Sequence, residues 1–192
     1  MRTILFFLIS LLLPITMFAQ SEHLTFKGVP IDGTLSHFTY QLTQKGFEKV
    51  YSQEKASVLS GDFAGYSDCT IYVYTLDNQD LVHTVGVQFP SYDSWSLLEG
   101  NYNNLKEMLT IKYGKPKSHT ESFQRDYPPR DDNSKLHELK MDRCNYISTF
   151  ETDNGTIVLK LSHESVYKCY VILGYVDAIN GLKKEVAAID DL

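Results

Sequence analysis

The sequence predicts an α+β fold: two units in tandem, each a helix followed by antiparallel strands, with the helices on one face of the sheet. Three observations carry this prediction. Two segments place apolar residues at helical spacing, Leu35-Phe38-Leu42 and Leu98-Tyr102-Leu105-Leu109-Tyr113. Each is closed by a glycine, Gly46 or Gly114, at the position where a left-handed residue ends a helix. Short alternating runs joined by turn residues follow each helix and read as hairpins.

The chain opens with a different pattern. Arg2 precedes an apolar run from Ile4 to Ile9 and Leu11-Leu12-Leu13, which closes at Met17-Phe18-Ala19-Gln20. A basic start, a short apolar stretch and a small residue at the end describe a secretory signal peptide, although Met17 stands where a small residue is usual. The run is shorter than the ~20 residues of a bilayer-spanning helix. We therefore expect residues 1–20 to be removed and the protein to be exported, to the periplasm or beyond the cell. No cysteine lies near the cut to accept a lipid. Residues 21–192 then form a single α+β domain with halves at about 24–90 and 94–180.

The first half begins at Leu24 to Ile31, an alternating run that Pro30 limits to a short or edge strand. Asp32-Gly33 is a turn, Thr34 caps a helix over about 35–45, and Phe47 can fold back on its last turn. Strands are expected at 57–66, 69–76 and 81–89, with Asp77-Asn78-Gln79-Asp80 as the turn between the last two. Pro90 stops the third.

The second half opens on a helix at 96–113, where Ser96 and Glu99 have capping-box spacing and Trp95 is placed to act as a packing staple. Pro116 prevents its continuation. A short strand at 118–124 precedes a polar stretch, 125–143, that reads as an exposed, mobile loop because of Pro128-Pro129 and Asp131 to Ser134. Strands at 146–151 and 156–162 flank Asp153-Asn154-Gly155, with Asn-Gly as a hairpin turn. A last strand at 167–176 and a short polar helix near 181–190 complete the chain.

The helix ending Lys112-Tyr113-Gly114-Lys115-Pro116, the strand meander after it and the closing Gly174-Tyr175-Val176-Asp177 resemble small exported bacterial proteins of unknown function. The tandem helix-plus-sheet layout also resembles the beta-lactamase-inhibitor-like fold. That resemblance implies a binding role through an open sheet face. It carries no functional residue over.

Charge and chemistry narrow the function. There are 18 basic and 24 acidic side chains, a net charge of −6, which argues against a nucleic-acid partner. The six histidines are scattered, with no nucleophile elbow near them. The paired acids Asp131-Asp132 and Asp190-Asp191 sit in polar contexts, and no cysteine or histidine pair has metal-site spacing. No cofactor or metal is expected, nor a catalytic residue. Of Cys69, Cys144 and Cys169, the pair Cys144 and Cys169 is the expected disulfide if one forms. Asn154-Gly155-Thr156 is formally a glycosylation sequon, which the turn explains without sugar.

Tyrosine is the suggestive feature. Among thirteen, Tyr72, Tyr74 and Tyr170 occupy outward strand positions, and Tyr66 lies near a strand end. Tyr offers a large amphipathic contact area at small entropic cost. The expected function is an exported, non-enzymatic binding or inhibitor-type module that docks a protein or peptide on these rings, with the 125–143 loop as a further contact. The alternatives are an envelope enzyme with an unrecognised site and a periplasmic assembly or chaperone-like subunit. A polar pocket gathering His83, His163 and carboxylates would favour the enzyme.

Overall fold

The structure is a computed structural model, and it describes residues 23–125, 127, 129–164 and 168–183. The expected signal peptide lies outside these residues. Strands β1 (Thr25–Phe26) and β2 (Val29–Pro30) form a two-stranded ribbon. Helix α1 (Leu35–Thr43) follows, then strands β3 (Glu48–Ser52), β4 (Ala56–Phe63), β5 (Tyr66–Thr75) and β6 (Val82–Gln88). Helix α2 (Trp95–Tyr113) leads into β7 (Ser118–Phe123), helix α3 (Asp132–Lys140), and strands β8 (Cys144–Thr152), β9 (Gly155–Glu164) and β10 (Lys168–Asp177). Residues 178–183 are helical. The eight long strands make one antiparallel sheet in the order β3-β4-β5-β6-β10-β9-β8-β7. The fold is therefore α+β, as the hairpin patterns predict.

The registers separate two faces. One row of cross-strand neighbours runs Leu59, Ile71, Val87, Leu173, Leu159, and the next runs Val73, Val85, Tyr175, Ile157, Phe150. All of these are buried. Leu35, Phe38 and Leu42 of α1 and Leu98, Tyr102, Leu105 and Leu109 of α2 join them in a single core. Helix α1 packs on β3–β5 and α2 on β8–β10, so both cover the same face. Phe26, Phe47, Phe63 and Phe89 fill the core, with Phe63 in ring contact with both Phe26 and Phe89.

Several expectations need correction. The run 24–31 is not one strand. Lys27 and Gly28 both take positive φ (52° and 76°) and turn the chain between β1 and β2. Strand β3 was not foreseen, because Glu48 to Ser52 is short, charged and exposed throughout. Ala64-Gly65, also at positive φ, ends β4 early. The 125–143 stretch contains α3, whose Leu136 and Leu139 are buried. Asp131 caps it by accepting from the Ser134 N–H at 2.9 Å, and one buried leucine pair is too brief a stripe to stand out from its polar neighbours.

The capping box at α2 is absent. Ser94 is the cap residue and makes no side-chain cap bond. Instead Ser96 gives its N–H and hydroxyl to Asp132 of α3, at 3.1 and 2.9 Å, while Glu99 accepts from the Tyr146 hydroxyl. Trp95 is fully buried against Phe123 and Tyr146. At the β8–β9 hairpin neither Asp153 nor Asn154 takes positive φ, so the Asn-Gly turn type is not used. Gly155 begins β9 because a Cβ there would sit 2.2 Å from the Val176 carbonyl oxygen.

Candidate docking face

The reverse face of the sheet carries the residues between the core rows. Its central row runs Tyr51, Val58, Tyr72, Gly86, Gly174, Val158, Thr149 and Ser118, one from each strand. Helices α1 and α2 pack on the opposite face; at the end of β10 the helical Gly181 approaches this one, an added Cβ there coming to 3.8 Å from Val176 Cγ1. Alternation at period two explains the two faces: each buried aliphatic is followed by a residue pointing away from the helices. Val58, Val158, Ile172 and Val176 are half-buried here, so the face is apolar but lightly covered.

Tyr72 and Tyr74 stand side by side on β5, with ring centroids 6.3 Å apart and planes within 8° of parallel. Tyr74 is 42% exposed and Tyr51, beyond Val58, is 53% exposed. The Tyr72 hydroxyl donates to Gln88 Oε1 at 3.0 Å, which fixes the ring. The ring leans over Gly86, where an added Cβ would come to 3.8 Å from the Tyr72 Cβ. Gly86 pairs with Gly174 across the centre of the sheet, and neither takes positive φ. These glycines are therefore not demanded by the backbone, although glycine in a strand interior weakens it. Their effect is a low centre beside a pinned aromatic pair. Burial first, then the neighbouring Tyr170 and Tyr74, pushes the Tyr72 phenol above its ordinary value, so it stays neutral and able to donate.

Tyr170 lies on the same face, four residues before Gly174 along β10. Tyr66 does not join them. Its ring packs edge-on against buried Phe89, and its hydroxyl accepts from the Asn104 amide of α2 at 2.8 Å. Strand β5 begins at Tyr66 with Asp68 at positive φ, and this irregularity sends Tyr66 to the helix side. Tyr51, Gly86 and Gly174 were missed. A signal for the glycines existed: each sits between two inward apolar residues, Val85 and Val87 or Leu173 and Tyr175.

The other candidate chemistries are dispersed or structural. His163 and His83 lie at opposite ends of β10: His163 faces Cys169, whereas Thr84, next to His83, faces Val176. His163 Nε2 is 3.1 Å from Asp142 Oδ1. All three cysteines are free thiols. Burial pushes Cys69 to about 11 and, with Cys169 adding to it, Cys144 to about 12, so both remain protonated. Cys144 and Cys169 occupy strands on either side of β9. Among the described residues no group of three or more metal-binding side chains converges. No helix among them is long and apolar enough to cross a membrane. Compared with known proteins, the chain matches no family model, no curated protein and no solved structure.

Proposed function

We propose that the protein is an exported, non-enzymatic binding or inhibitor-type module that docks a protein or peptide on the open face of its sheet. The observation that carries this reading is the Tyr72–Tyr74 pair: parallel, with the half-buried Tyr72 held by Gln88 and Tyr74 exposed, beside the Gly86–Gly174 centre. A pinned aromatic surface loses little rotamer freedom on binding, and such rings dominate interface energetics. The strand order, symmetric about the β6–β10 seam, supports a description as two tandem helix-plus-sheet units meeting there. That layout is the one whose resemblance implies binding rather than chemistry. The acidic balance favours a protein or peptide over nucleic acid.

The test is capture of partners from the native envelope fraction with the wild type and with a Tyr72→Ala/Tyr74→Ala variant. Each truncation should cost about 2 kcal/mol of binding, so together they should abolish capture. Thermal stability should change little, because the rings lie outside the core. A partner held equally by both proteins would defeat the reading. A collapse in stability would assign the rings to the core instead.

A further inference from the structure

The two edges of the sheet differ. Strand β3 is short and broken by a register shift between Lys49 and Tyr51, and it carries Glu48 and Lys49. Charges and bulges of this kind keep an edge from pairing with another chain. Strand β7 has no register shift and no lysine, and its one formal charge is Glu121. Its six residues, Ser-His-Thr-Glu-Ser-Phe, pair with β8 in unbroken register. They contain no lysine or proline; the flanking Lys117 is drawn back onto Glu151 of β8 at 3.1 Å, and Lys106 of α2 pairs with Glu121. No strand among the described residues pairs with the outer side of β7.

The backbone polarity of that outer side can be read from the ladder. The Gln124 N–H donates to the Arg143 carbonyl in the register of Ser118↔Thr149. Even-numbered residues therefore bond to β8, and the N–H and C=O groups of His119 and Glu121 point outward. Both side chains lie on the helix side, His119 opposite Ser148 and Glu121 opposite Tyr146.

We infer that β7 is a homodimerisation edge, pairing antiparallel with β7 of a second copy about a two-fold axis at Thr120. A two-fold axis perpendicular to the sheet keeps the helix-covered faces of both copies on one side. It allows only registers that place residues of the same face opposite each other. An axis at Glu121 would set two carboxylates against each other. An axis at Thr120 sets His119 of each copy opposite Glu121 of the other, so that twice an imidazole N–H faces a carboxylate that also pairs with Lys106 of its own copy. The same pairs exchange both backbone hydrogen bonds, and Ser118 meets Ser122. The operation also brings together the two hollows of about 460 Å³ that His119 lines with Thr110, Ile111 and Pro116. Ile111, 81% exposed on the single chain, borders each. This inference is independent of the open-face reading, because β7 lies four strands from β6 and the tyrosine pair lies on the opposite half of the sheet.

Sedimentation equilibrium over a wide concentration range tests it. The wild type should be a concentration-dependent dimer. Thr120→Lys places like charges at the axis and should give a monomer with unchanged far-UV circular dichroism. His119→Glu should weaken the dimer by at least tenfold, and the double reversal His119→Glu/Glu121→Lys should restore it. A wild type that stays monomeric, a dimer that survives Thr120→Lys, or a double reversal that fails to rescue would each overturn the proposal. In a monomeric wild type, capture of an extended peptide on β7 would assign the edge to a heterologous partner instead.

Discussion

Asp177 shows how much one residue can hold. Its carboxylate is fully buried and accepts from the backbone N–H groups of Leu24 at 2.7 Å and Asn180 at 2.9 Å, with His23 Nδ1 at 3.0 Å. Asn180, also buried, turns its amide nitrogen toward the carbonyls of Ile31 and Val82 and toward Asp32. These two residues tie the first described strand ribbon to the end of β10 and to β6. Replacing Asp177 with Ala should cost about 3 kcal/mol, because it strands buried N–H donors. Asp177→Asn, which retains an acceptor oxygen, should cost less. Urea unfolding measures both, and equal small losses would show that the N-terminal ribbon is not anchored there. Nothing in the sequence around Asp177 announces this role, since two of its partners, His23 and Leu24, lie about 150 positions away.

At the scale of elements, α3 is held by charge as well as by its buried Leu136 and Leu139. Glu138 is buried, and Arg143 grips it through two bonds at 2.8 and 3.2 Å, with Arg125 at 2.8 Å. Hydrogen bonds from Arg143, then the charges of both arginines, hold the Glu138 carboxyl below its ordinary value of 4.5. The folded value is lower than the unfolded one, so this group stabilises the protein fully above about pH 4.5 and progressively less as pH falls through the folded value. Glu138→Gln should therefore lower the melting temperature at neutral pH and flatten its decline in acid. Identical acid limbs for wild type and variant, followed by calorimetry, would show that the cluster does not couple to folding. Asp132 extends the same logic: its carboxyl is held low by the Ser96 N–H and hydroxyl, which joins α3 to the start of α2.

Across the whole molecule, one continuous sheet and one core predict a single unfolding event. Strands β6 and β10 pair in register through five residues, and Phe26 packs edge-on against Tyr175 at 5.5 Å, so neither half has a closed core of its own. Fluorescence of Trp95, the single tryptophan, reports the α2–β8 half, whereas far-UV circular dichroism reports both halves. The two transitions should coincide, and a separated midpoint would mean that the halves fold independently. The sequence by itself determined the helices at Leu35 and Leu98, their glycine ends, the antiparallel hairpins and the inward rows through Ile71, Val85, Leu159 and Leu173, because these follow from periodicity and turn chemistry within a few residues. It also placed Tyr72 and Tyr74 outward. Only the tertiary structure decided that Tyr66 turns to the helices, that Gly86 and Gly174 meet, that Glu48 to Ser52 forms an edge, and that Asp132 serves α2. Those outcomes depend on which distant strands become neighbours, and pairing across long loops is a property of the whole sheet that no local pattern encodes.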